Sequence, residues 1–176
     1  MDFFLDPREK ETVNLVFYES SVTKIKFVSE LINSYKVPIF YIDFDLMFSG
    51  YYESGLISKI PDIRIFRPDR NNLLEIISEI IKKTSLDTSI IILDSLNNLY
   101  SILNDEPNSG RLVNSLLMFL SYNAKFSKSK VFIASLSEKK ENEWVLFPTK
   151  RHILEIENMN RFYIEEKGKK LQIQKL

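Results

Sequence analysis

Val13-Asn14-Leu15-Val16-Phe17-Tyr18-Glu19-Ser20-Ser21-Val22-Thr23-Lys24-Ile25-Lys26-Phe27-Val28 is the stretch on which the fold turns. An apolar run long enough for a buried strand ends at Tyr18, a short polar turn follows, and the chain then becomes amphipathic with a lysine near its start. Strand, tight turn and lysine-headed helix are the layout of a phosphate-binding loop, in which helix N–H groups and the lysine share the anion. The stretch nevertheless holds no glycine, and the whole chain has only Gly50, Gly55, Gly110 and Gly168. Loops that wrap phosphates use backbone without a Cβ, so the scarcity bears directly on whether a nucleotide site is present.

The remaining composition narrows the field. A chain of 176 residues with 44% hydrophobic and 27% charged side chains is expected to form a single globular core domain over residues 1–176, with no separate N-terminal domain. Lys+Arg and Asp+Glu both number 24, so any nucleic-acid affinity has to come from a local patch. Without cysteine, and with His152 as the sole histidine, thiolate and histidine-cluster metal sites are excluded. Neither a signal peptide nor a run of about 20 apolar residues is found, which predicts a cytoplasmic location and no membrane partner.

Hydrophobic periodicity extends the pattern. Residues 13–18 read as a strand, and Ile25, Val28, Leu31, Ile32 and Tyr35 mark a helix over 22–35. Val37 to Asp43 is a second strand and Ile63 to Phe66 a third. Leu73, Ile76, Ile77, Ile80 and Ile81 lie on a helix that Asn71-Asn72 is expected to cap. Ser89 to Asp94 is the most apolar strand, Leu112 to Leu120 follow helical spacing, and Val131 to Ala134 form another strand. Alternating strands and helices predict an α/β fold with a parallel sheet and right-handed crossovers. Short strands are expected at 144–147, 152–156, 161–165 and 171–175, the last two as a hairpin turning at Lys167-Gly168.

With these elements in line, the chain resembles the ATPase core of the RecA family, most closely archaeal RadA and its paralogues, collinearly over residues 13–176. The resemblance implies a RecA-like three-layer α/β/α fold with a central mostly parallel sheet and antiparallel C-terminal strands. It sets Tyr18-Glu19-Ser20-Ser21-Val22-Thr23-Lys24-Ile25 against the family's phosphate loop. Asp45 of Tyr41-Ile42-Asp43-Phe44-Asp45 falls at the catalytic carboxylate, and Asp94 of Ile91-Ile92-Leu93-Asp94-Ser95 at the second aspartate. His152-Ile153-Leu154 and residues 160–176 are similar to the recombinase ending.

The departures fall where the chemistry is. Tyr18 and Thr23 replace both loop glycines, and a left-handed backbone at a non-glycine residue costs about 1–2 kcal/mol. Ile25 stands where a hydroxyl would hold magnesium, and Ala134-Ser135-Leu136 where a glutamine would sense the γ-phosphate. Lys24, Asp45 and Asp94 remain as a vestigial nucleotide site with no catalytic residue, metal or cofactor expected. Weak ATP binding stays open, because helix N-termini attract anions without glycine. Simpler accounts exist for each residue: Lys24 as a solvated lysine, Asp43 and Asp45 as solvated strand ends, and Asp94 as a helix cap together with Ser95.

If the resemblance holds, DNA would be met by the loops after the fourth and fifth strands. Residues 103–110 bring Asp105 and Glu106 with no base before Arg111, a poor surface for phosphate. In residues 137–152, Lys139, Lys140, Lys150 and Arg151 surround Trp144, and stacking of a base on an aromatic ring is worth about 1–3 kcal/mol. The alternative is that Trp144 and Phe147 belong to the core and the charges to a solvated face. The expected function is a non-catalytic RadA-like accessory protein of homologous recombination and DNA repair. Its expected partners are a RecA-family recombinase or paralogue, with single-stranded DNA as a further one, in a homo- or hetero-oligomer. The alternatives are a regulatory or scaffold subunit of a KaiC-like or motility-motor system, and a weak ATPase whose contacts come from Glu19, Ser20 and Ser21.

Overall fold

The computed structural model describes residues 12–141, 143–146, 151–152 (backbone only), 159–168 and 170–176. In chain order the elements are β1 (Val13–Tyr18), α1 (Ser21–Ser34), β2 (Ile39–Ile42), α2 (Met47–Glu53), β3 (Ile63–Phe66), α3 (Leu73–Thr84) and β4 (Ile90–Leu93). They continue as α4 (Leu96–Ile102), α5 (Ser109–Ser127), β5 (Lys130–Lys140), β6 (Glu143–Leu146), β7 (Arg151–His152), β8 (Met159–Lys167) and β9 (Lys170–Lys175).

The sheet runs β3-β2-β4-β5-β1-β8-β9, with β6 and β7 branching from the far end of β5. Every pairing from β3 across to β8 is parallel, whereas β8–β9, β5–β6 and β6–β7 are antiparallel. This is the expected α/β arrangement of a central mostly parallel sheet with antiparallel C-terminal strands. Strands β1, β2 and β4 are short and buried throughout because both of their faces are covered. Alternate residues of β1 show the division: Val13, Leu15 and Phe17 pack with α3, α4 and α5, while Val16 and Tyr18 pack with α1 and α2. Three layers and two cores follow from that period of two.

Several local expectations are corrected. Helices α2 and α4 have no counterpart in the periodicity, and β5 runs well beyond Ala134. Asn72 does not cap α3 with its side chain. Asp69 instead holds the turn that leads into the helix, its Oδ1 accepting the N–H groups of Asn71 and Asn72 at 2.7 and 3.0 Å. The C-terminal hairpin turns where expected, with Gly168 at φ +66°. The strand expected at 152–156 lies, beyond His152, outside the described residues.

Candidate functional site: a buried lysine among three aspartates

Open α/β sheets place their sites at the carboxyl ends of the strands. Here β1, β2 and β4 end on Tyr18, on Ile42 just before Asp43, and on Leu93 just before Asp94. Only Glu19 and Ser20 separate β1 from α1, so the helix begins within the stretch that resembles a phosphate loop. The Lys24 N–H donates to the Ser20 carbonyl at 3.1 Å, an ordinary helical bond. Thr23 and Lys24 are buried helix residues, and no backbone cradle is formed around an anion.

The simpler account of Lys24 as a solvated lysine does not hold. Its side chain is 0% exposed, and Nζ donates to Asp45 Oδ2 at 2.5 Å and to Asp94 Oδ2 at 3.0 Å. The Tyr18 ring lies 6.0 Å from the same ammonium. An isolated buried ammonium is too costly to persist, so the two carboxylates are what permit its burial. Asp94, also fully buried, collects a further bond from the Tyr41 hydroxyl at 2.8 Å on Oδ2, and from the Phe44 N–H at 3.0 Å on Oδ1. It does not cap α4; Ser95 does so alone, its side chain accepting the Asn98 N–H.

The solvated reading of the β2 aspartates is likewise overturned. Asp43 is buried, with Oδ2 accepting the Ser49 N–H at 2.7 Å and Oδ1 left without a partner. Asp45 is 19% exposed and splits its oxygens between Lys24 and the Met47 N–H. The two carboxylates therefore tie down the first turn of α2.

One ammonium faces three acids. An oxygen from each of Asp43, Asp45 and Asp94 lies within 4.8 Å of the others. Burial pushes the Asp94 carboxyl up to about 7, and Asp45 and Asp43 push the same way, while Lys24 pulls it down. Burial, and then Asp94, also raise the Tyr18 and Tyr41 hydroxyls well above the ordinary tyrosine range. Such carboxylates are the donors a divalent cation takes. Here the ammonium already lies within hydrogen-bonding distance of two of them. Ile25, at the position of the expected magnesium hydroxyl, packs against the α1-side core. The residues present do not fit the phosphate-bound magnesium of an ATPase site.

Leu136, in the segment that the sequence resemblance would set at a phosphate sensor, is held at both backbone atoms by Asn97. The Asn97 Nδ2 donates to its carbonyl at 2.8 Å and Oδ1 accepts its N–H at 2.9 Å. Ser135 is buried and its hydroxyl pairs with that of Ser137 at 2.7 Å.

The candidate DNA residues are placed unevenly. Lys139 and Lys140 are exposed at the end of β5. Trp144 is half-buried, stacked on Phe17 at 5.2 Å and against Tyr163 at 4.8 Å, so it packs on the core in the manner of the alternative account. Lys150 and the Arg151 side chain, like Phe147, lie outside the described residues. The acidic segment 103–110 meets a base from elsewhere, since Arg70 pairs with both Asp105 and Glu106.

The structure thus brings Lys24, Asp45 and Asp94 together and adds Tyr18, Tyr41 and Asp43, which sequence reasoning did not place in the site. One signal was available: Tyr41 and Asp43 are two apart in the strand expected over residues 37–43 and so would share a face.

No protein-family profile matches the chain, and no curated protein does. Among solved structures it is similar to the cytoplasmic domain of the type VII secretion ATPase EccC from Thermomonospora curvata. The identity is 10% and the TM-score 0.48, over 72% of this chain and 16% of that one, so the chain spans less than a fifth of the protein it matches. Among the described residues, no helix is long and apolar enough to cross a membrane.

Proposed function

We propose that this is a RecA-fold protein that does not hydrolyse ATP and that acts by binding a partner. One observation carries the proposal: the Lys24 ammonium, which an ATPase would direct at a phosphate, is wholly buried and engaged by Asp45 and Asp94. To reach a nucleotide, Lys24 would have to leave two charge-assisted bonds, and Asp94 would then be an uncompensated buried charge. Removing one member of a buried pair costs about 3–5 kcal/mol, more than a weakly held phosphate returns. With helix from Ser21 and Tyr18 packed beside the ammonium, there is also little backbone to receive the anion.

The sequence resemblance gives the partner class: a recombinase or paralogue of the RecA family, with the protein acting as an accessory in recombination and repair. Two measurements test this. Steady-state phosphate release from magnesium-ATP is expected to stay at the buffer rate, and hydrolysis lost in both Lys24→Ala and Asp45→Asn would overturn the first half. Stimulation of strand exchange by the co-purified host recombinase is expected, and no association with any RecA-family protein from native cells would overturn the second.

A further inference from the structure

The outer face of α5 carries an apolar stripe that the fold does not use. The helix buries Val113, Leu117, Leu120 and Ala124 against the sheet. On its other side Leu112, Phe119, Tyr122 and Phe126 are 41, 55, 72 and 84% exposed, and Met118 beside them 62%. Leu112, Ser115, Phe119, Tyr122 and Phe126 are spaced three, four, three and four apart, the a/d rhythm of a heptad seam. A globular helix turns such a stripe inward; here a second stripe faces solvent in addition to the buried one. At the sizes of aromatic side chains, the three rings alone present about 400 Å². That is about half of what one partner contributes to an ordinary stable interface.

The flanks restrict what can cover it. With Leu112 and Phe119 as a positions, the g positions are Arg111, Met118 and Lys125, and the exposed Lys128 follows the helix end. No acidic residue occurs between Glu106 and Glu138. A second copy packed in parallel would offer Leu116 and Asn123 to those cations, and one packed antiparallel would set Arg111 against Lys125. Neither supplies a counter-charge, and flanking charges set the choice of coiled-coil partner.

We infer that the outer face of α5 docks an amphipathic helix of another protein, apolar along its own seam and acidic on the flank that meets Arg111 and Lys125. This rests on the partner-binding half of the proposed function and is independent of the Lys24 site, so a negative result here leaves the ATP measurements standing.

The test titrates the full chain with two designed peptide helices, alike in a leucine seam but carrying glutamate or lysine at the e and g positions. The glutamate peptide is expected to bind at least about tenfold more tightly, with the advantage shrinking as salt rises. Phe119→Ser with Phe126→Ser is expected to remove that binding, while the variant, altered only at exposed rings, keeps its melting temperature. Equal affinity for both peptides, or binding of neither, overturns the inference. So does a concentration-dependent dimer lost in the same variant, which would make a second copy the occupant. Glutamate-peptide binding seen only after deletion of residues 1–11 would assign the face to the chain's own N-terminal segment. Tighter binding of a poly-dT oligonucleotide than of the glutamate peptide would make it a nucleic-acid surface.

Discussion

Replacing Lys24 with methionine keeps an unbranched side chain of nearly the same length and removes the ammonium with its charge and N–H donors, so it isolates what the ammonium does. In the wild-type protein Nζ supplies the positive charge bonded to Asp45 and Asp94. Asp45 is 19% exposed and can be hydrated again; Asp94 is fully buried and cannot. The cost therefore falls on Asp94, and for a buried pair broken on one side it is about 3–5 kcal/mol. In a domain of this size that lowers the melting temperature by roughly 6–20 °C.

The pH dependence makes the prediction specific. Wild-type Asp94 releases its proton near 7, held that low by Lys24. In Lys24→Met its pKa moves higher, so above pH 7 the variant's folded state retains a proton that the wild type has lost. Stability falls with pH wherever the folded state binds more protons than the unfolded one. The variant thus goes on losing stability above pH 7, at about 1.4 kcal/mol per pH unit, where the Asp94 contribution in the wild type has levelled off. Urea unfolding of both proteins at pH 6 and pH 8.5 is expected to show the penalty growing by about 2 kcal/mol between them. A penalty below about 1 kcal/mol at pH 8.5, or one equal at the two pH values, would refute the buried ion pair as the reason for the loss. Adding Asp94→Leu to Lys24→Met should recover part of the stability, because a buried pair replaced by apolar groups of similar volume is often neutral.

The raised Asp94 carboxyl also predicts how the wild type compares with Asp94→Asn. A carboxyl raised from its ordinary value to about 7 stabilises the fold fully below the ordinary value and loses that contribution as pH rises through 7. Between pH 4.5 and 7.5 the stability of the wild type should therefore fall by about 3 kcal/mol relative to Asp94→Asn; parallel profiles in chemical denaturation would contradict this. Trp144, the sole tryptophan, reports on its own stacking. Its emission should shift to the red on unfolding and be unchanged by poly-dT, and Trp144→Ala should cost about 2–3 kcal/mol by calorimetry. Quenching by the oligonucleotide would instead support base stacking.

Much of the fold was legible because its signals are local. The helical stripe of α1 and the apolar strands β1, β2 and β4 repeat with the periods that two covered sheet faces demand. The hairpin was marked by Gly168, which supplies the positive φ that the turn requires. Helices α2 and α4 were not legible. Each has seven residues, too few to establish a period, and their first turns are secured from outside by Asp43 and Asp45 and by the Ser95 cap.

The same divide runs through the site. By itself the sequence determined that Lys24 lies early in a helix after a strand, that Asp45 and Asp94 stand at strand ends, and that the turn before Lys24 holds no glycine. It could not determine whether Lys24 meets solvent. That depends on the sheet order β2-β4-β5-β1, which gathers the carboxyl ends of β2, β4 and β1 and brings Asp94 within 3.0 Å of an ammonium 70 residues earlier in the chain. It depends equally on Tyr18 and Tyr41 closing around the charges. Burial of an ammonium is decided by the summed field of groups distant in sequence, and only the packed sheet puts those groups within reach of one another.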